Sequence, residues 1–128
     1  METLQIKTTK RCELQDVTDR VAQVARKAKD AKGVLVFVPH TTAGVTINEN
    51  ADPSVPADIL NHLEKLVPQS ANFRHGEGNS DAHIKSSMMG QSLLVPVEGG
   101  ELVLGTWQGI FFAEFDGPRS RKLHVKAI

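Results

Sequence analysis

Five consecutive apolar residues, Val34-Leu35-Val36-Phe37-Val38, closed by Pro39, constrain this chain more than any other stretch of it. The run shows neither helical spacing nor alternation, and valine holds every second position. It reads as a strand buried on both faces at the centre of a sheet. Pro39 has no N–H to offer a ladder and ends it. The stretch is the longest apolar run in the sequence, yet it is far too short to cross a bilayer, so no membrane association is expected.

A buried strand needs cover, and the flanking sequence supplies it. Leu14, Val17, Val21, Val24, Ala25 and Ala28 recur at three- and four-residue spacing with Arg20, Gln23, Arg26, Lys27 and Asp30 opposite them. That pattern is an amphipathic helix, with Asp16 placed to cap its start and Gly33 to follow its end. A second helix is expected from near Pro56 to before Pro68, turning Ile59, Leu60, Leu63, Leu66 and Val67 inward, and a short helical turn over 82–89. Leu4, Ile6 and Thr8 alternate as an edge strand, and 93–97, 101–104, 110–115 and 122–128 read as further strands. Gly99-Gly100 joins the first two of these in a tight hairpin. Strands outnumber helices without a βαβ rhythm, so the expected class is α+β.

With 128 residues there is room for one core, so 1–128 is read as a single domain. Fifteen Lys and Arg balance fifteen Asp and Glu, which leaves no basic excess for a phosphate backbone, and nucleic acid is not expected as a partner. Cys12 is the only cysteine and no signal-like segment opens the sequence, so a reducing cytoplasm is the expected location.

The histidines fall into two groups. His62 sits in a helix and His124 in a strand, whereas His40, His75 and His83 occupy polar turns or element ends. Three imidazoles can hold a divalent metal and leave a coordination position open, zinc being the best match. The same three side chains read equally well as solvated loop residues. His40 follows the buried strand at its carboxyl end, where sheets containing parallel strands commonly form ligand crevices. Asn48, Glu49, Asn50 and Asp52 crowd the next turn, and Glu49 is a candidate general base.

Lys85, Ser86 and Ser87 can present donors to an anion such as phosphate, or simply line a surface helix. Trp107, framed by Gly105 and Gly109 with Gln108 beside it, reads as a core plug or as a stacking surface for a flat ring. Arg119, Arg121 and Lys122 read as edge-strand charges that discourage sheet pairing.

In combination, His40-Thr41-Thr42-Ala43-Gly44, Asn48-Glu49-Asn50, His75 with Asn79, His83-Ile84-Lys85-Ser86-Ser87, Gly105-Thr106-Trp107-Gln108-Gly109 and Glu114-Phe115 resemble the YjbQ-like family over nearly the whole chain. The resemblance implies an α+β fold whose mixed sheet curls into a half-barrel or sandwich-like shape under two main helices and a short one. It also implies a homotrimer and a secondary thiamine-phosphate synthase, a transferase. In that reaction an aminopyrimidine diphosphate loses pyrophosphate as a thiazole phosphate attacks. His40, His75 and His83 would bind the metal, zinc or, for a diphosphate substrate, magnesium. Glu49 and Lys85 would be catalytic, with Asn48, Ser86, Ser87, Trp107 and Gln108 against the phosphate-bearing substrate. A metal-assisted phosphate-ester hydrolase and a non-catalytic metal or metabolite binder are the alternatives.

Overall fold

A computed structural model describes all 128 residues, Met1 to Ile128. Eight strands and three helices follow the order β1 Glu2–Lys7, β2 Glu13–Asp16, α1 Thr18–Lys27, β3 Gly33–Phe37, β4 Ala43–Glu49, α2 Ser54–Leu66, α3 Ser80–Met89, β5 Ser92–Glu98, β6 Glu101–Leu102, β7 Gln108–Glu114 and β8 Ser120–Ala127. They build a five-stranded sheet, β1-β8-β3-β5-β6, that curls into a half-barrel, and a three-stranded sheet, β2-β7-β4. The α+β class is as expected.

The strand directions are not. Every ladder is antiparallel, so the mixed sheet implied by the resemblance is absent, and with it the parallel-strand reason for placing a crevice beyond Val38. No helix is long and apolar enough to cross a membrane.

The main core lies where the inner face of the large sheet meets α1 and one face of the small sheet. Ile6, Val34, Val36, Val95, Leu123 and Val125 come from the large sheet, with Val38 just beyond β3, Val45, Ile110 and Phe112 from the small one, and Val21, Val24 and Ala25 from α1. The other face of the small sheet carries Ala113 and Phe115 against Ala82 of α3 and Leu60 and Leu63 of α2.

Being sandwiched this way makes β7 the strand buried on both faces, a role the sequence pattern assigned to Val34–Val38. In β3 the outward side chains stay open to solvent. Phe37 is 42% exposed, and Leu94, which faces Leu35 across the β3–β5 ladder, is 66% exposed. A central position in a sheet does not itself cover both faces, and no layer packs outside the half-barrel.

Three smaller differences have local causes. The first helix begins at Thr18, because Leu14 belongs to β2 and pairs with Ala113. Asp16 still acts at its start, Oδ1 accepting from the Thr18 N–H at 2.9 Å and from its hydroxyl. In α2 none of the expected inward residues is fully buried, and Leu66 is exposed. β8 lies between β1 and β3, so Arg121 and Lys122 are not edge-strand charges. The Gly99-Gly100 hairpin is as expected, both glycines having positive φ (57° and 80°) between Glu98 and Glu101.

Candidate functional site

The chain passes from the large sheet to the small one through Val38–Thr42, between β3 and β4, and returns through Phe115–Arg119, between β7 and β8. Both crossings lie at the same end of the molecule. The start of α3 closes a third side, because α3 is bound tightly to β4. Ser86 Oγ donates to the Ala43 carbonyl at 2.7 Å, and the Val45 N–H donates to the Gly90 carbonyl at 3.0 Å. The absence of a side chain at Gly44 permits the approach, since a Cβ there would lie 2.6 Å from the Gly90 oxygen.

Between these three segments is a cleft of about 420 Å³ lined by Pro39, His40, Thr41, Thr42, Glu77, Asn79, His83, Asp116, Arg119 and Arg121. Apart from Pro39, all of them are polar or charged.

Its back wall is a buried ion pair. Glu114 is fully buried and Arg121 nearly so. The carboxylate accepts from Arg121 Nε at 2.9 Å and from its Nη2, from the Thr8 hydroxyl at 2.7 Å, and from the N–H groups of Phe115 and Asp116, both at 3.1 Å. Arg121 Nη2 also donates to the Thr42 carbonyl and hydroxyl, at 3.2 and 2.8 Å. Burial pushes the Glu114 carboxyl upward, but Arg121, Thr8 and the Asp116 N–H outweigh it and hold the group below the usual glutamate range. A charge inside the apolar stretch Ile110–Phe115 demanded such a partner, and that demand was the one sequence signal pointing here.

Nearer the opening, Asp116 organises the polar groups. Its carbonyl accepts from Arg119 Nε at 2.8 Å, and its Oδ2 from Arg119 Nη2 at 3.1 Å and from Asn79 Nδ2 at 2.9 Å. The Asn79 amide oxygen is buried and has no partner. His40 Nε2 accepts the Lys122 N–H at 2.9 Å. Burial, followed by the Arg121 guanidinium, pushes the His40 imidazole below its ordinary range. His83 lines this cleft and also a neighbouring, more apolar one with Phe73, Arg74, His75, Ser80 and Ile84.

The expected site residues divide into three sets. His40 and His83 share the polar cleft, and His75 packs edge-on against His83 with centroids 5.6 Å apart. The Nε2 lone pair of His40 is engaged by the Lys122 N–H, and the structure groups no three His, Cys, Asp or Glu side chains around one point.

Lys85 is 1% exposed and lines neither cleft. It pairs with Asp81 at 2.9 Å and Glu64 at 2.7 Å, and Asp81 is also gripped by Arg11 at 2.9 and 3.1 Å. Burial lowers the Lys85 ammonium, but Glu64 and Asp81 prevail and raise it above its ordinary range. Ser86 bonds to Ala43 and Gln91, and Ser87 back to the His83 carbonyl. Lys85, Ser86 and Ser87 therefore do not converge as the anion site expected of them.

The third set, Asn48, Glu49, Trp107 and Gln108, gathers at the far end of the small sheet. Glu49 stands opposite Gln108 at one end of the β4–β7 ladder, and Ala43 opposite Glu114 at the other. Seven residues of strand separate the ends by roughly 20 Å. Asn48 Oδ1 accepts the Glu49 N–H, and Gln108 Oε1 the Gly105 N–H, so both amides brace local turns. Trp107 is 62% exposed, which rules out the core plug.

A family model described as UPF0047 protein YjbQ-like matches residues 2–128. The UPF0047 protein of Methanocaldococcus jannaschii is 58% identical over 125 residues, covering 97% of this chain and 91% of that protein. The UPF0047 protein YugU of Bacillus subtilis is 52% identical over 128 residues, covering 98% and 97%. Among solved structures, a YjbQ/UPF0047-family protein of Clostridium acetobutylicum superposes with a TM-score of 0.98 at 49% identity, and a conserved hypothetical protein of Thermus thermophilus with 0.94 at 41%, each covering the whole of both chains.

Proposed function

This chain belongs to the YjbQ-like UPF0047 family, and we propose that it is an enzyme acting on a small phosphate-bearing substrate whose phosphate or diphosphate group occupies the His40–Arg119 cleft. The observation carrying this reading is the lining, nine polar or charged residues beside Pro39, among them two arginines and two histidines. Planar guanidinium groups and ring N–H donors match the oxygens of a phosphate, while an apolar molecule finds little there to bury.

The specific form implied by the resemblance is thiamine-phosphate synthase. Pyrophosphate departs with the electron pair of the broken C–O bond as the thiazole phosphate attacks the aminopyrimidine carbon. Negative charge grows on the leaving oxygens, and Arg119, already oriented by Asp116, supports the reading as the group that would stabilise it. His83 lines both the polar cleft and the more apolar one, which supports the reading of it as the donor of a proton to the departing pyrophosphate oxygen. Trp107 and Glu49, at the opposite end of β4, take no part in this step within one chain.

Pyrophosphate release is the test, measured with both synthase substrates together, with each alone, and against simple phosphate esters. Release only with the pair, reduced about a hundredfold in Arg119→Ala, is the expected result. Turnover of single esters moves the assignment to a phosphate-ester hydrolase. Binding of these compounds with no turnover by the unmodified protein overturns the enzyme reading in favour of a metabolite binder.

A further inference from the structure

We infer that His40 works in the polar cleft as a neutral ring whose Nδ1–H donates to an oxyanion of the ligand, and not as a metal ligand. This inference rests on the proposed phosphate-bearing substrate and gives one residue a defined part in holding it.

Hydrogen-bond direction carries the argument. The group 2.9 Å from His40 Nε2 is a backbone N–H, that of Lys122. A backbone N–H can only donate, so Nε2 must keep its lone pair free of a proton. In a neutral imidazole the single ring proton then resides on Nδ1. The bond is part of the sheet architecture. The β3–β8 ladder ends at Phe37 opposite His124, and Lys122 lies two residues further along β8, where β3 has already turned away through Pro39. The imidazole takes the place of the missing strand carbonyl and satisfies a donor that would otherwise be orphaned.

His40 Nδ1 has no partner within the protein, and it is not among the buried polar atoms lacking one. It is therefore open to solvent, on a residue that lines the cleft.

Arg119, held by Asp116, is a second donor at the cleft, and Asn79 braces the same carboxylate. Asn79 Nδ2 donates to Asp116, which establishes which end of the amide is oxygen, and that oxygen is buried with nothing donating to it. A cleft offering donors from His40 and Arg119 suits a group that carries oxyanions. A phosphate is such a group.

A metal on Nδ1 would have to displace that proton while Nε2 went on accepting from Lys122, which makes the ring an imidazolate, or it would have to break the Lys122 bond. The three-histidine metal site implied by family resemblance conflicts with this geometry at His40.

Nitrogen NMR of the 15N-histidine-labelled protein tests the assignment, with His40 identified by its loss in His40→Gln. Expected are a pyridine-type Nε2 and a protonated Nδ1 in the free protein, with Nδ1–H perturbed by inorganic phosphate and unaffected by Zn²⁺ alone. Phosphate affinity should fall about tenfold in His40→Ala, the worth of one hydrogen bond to a charged group. Because the spectrum is read on the unmodified protein, it decides the tautomer even if His40→Ala folds poorly. A protonated Nε2, or loss of the Nδ1 proton on adding Zn²⁺, overturns the His40 assignment and leaves the phosphate reading of the cleft intact. The stated tautomer with no phosphate binding overturns both.

Discussion

Replacing Arg121 with methionine keeps much of the side-chain length and removes the charge that faces Glu114, together with two hydrogen bonds to Thr42. Glu114 is fully buried and accepts five hydrogen bonds, two of them from Arg121, so R121M leaves the carboxylate with the Thr8 hydroxyl and the N–H groups of Phe115 and Asp116. Leaving one member of a buried pair uncompensated costs about 3–5 kcal/mol, and the three surviving donors place this site near 3. For a domain of this size that is a fall in Tm of roughly 10 °C.

The pH dependence follows from the direction of the Glu114 shift. Its carboxyl lies below the usual value in the folded protein, so the pair's contribution is present above the ordinary glutamate pKa of about 4.3 and is lost as pH falls through the lower folded value. The stability gap between parent and R121M should be full at pH 7 and close on acidification, because in the variant Glu114 takes up its proton earlier. E114Q/R121M, with no buried charge left, should recover most of the loss. Urea denaturation at fixed protein concentration between pH 7 and pH 3.5 measures all of this. An R121M within 1 kcal/mol of the parent at pH 7, or a gap that widens with acid, would refute the reasoning.

Lys85→Met should destabilise the protein by about 2–4 kcal/mol, because Asp81 keeps Arg11 but loses its buried lysine; a thermal melt unchanged from the parent would return Lys85 to the free, reactive groups. Gly44→Ala should cost about 1–3 kcal/mol, since the added methyl meets backbone at Gly90 and the Met89 side chain, and denaturant midpoints equal to the parent's would show that α3 can give way. Trp107→Ala should change stability by less than about 0.5 kcal/mol, and the parent's emission should be that of a solvated indole open to iodide quenching. A blue-shifted, quencher-resistant spectrum would contradict the exposed placement.

Amphipathic spacing, the Gly99-Gly100 pair and the positions of proline were enough to locate nearly every element, because those signals are local consequences of backbone geometry and side-chain alternation. The separation of His40, His75 and His83 from His62 and His124 was legible for the same reason. What a residue's neighbours are is a different question. The run Val34–Val38 specified a strand but not whether a second layer covers it, and the layer went to β7, which lies between the core and α2 with α3.

Lys85 looked like an anion-binding donor in sequence, and only the packing of α3 beside α2 showed that Asp81 and Glu64 had already claimed it. Glu49 and Trp107 stand in the same family of motifs as His40, yet a seven-residue strand holds them at the other end of the sheet. Arg119 and Arg121 gave the reverse lesson. They read as ordinary surface charge until two chain crossings between the sheets brought them, with Glu114 and Asp116, to the edge of the histidine cleft. Local pattern decided which segments form strands and helices; long-range pairing, which depends on loop closure between residues far apart in the chain, decided which charges are buried, which are spent on one another, and which remain for a ligand.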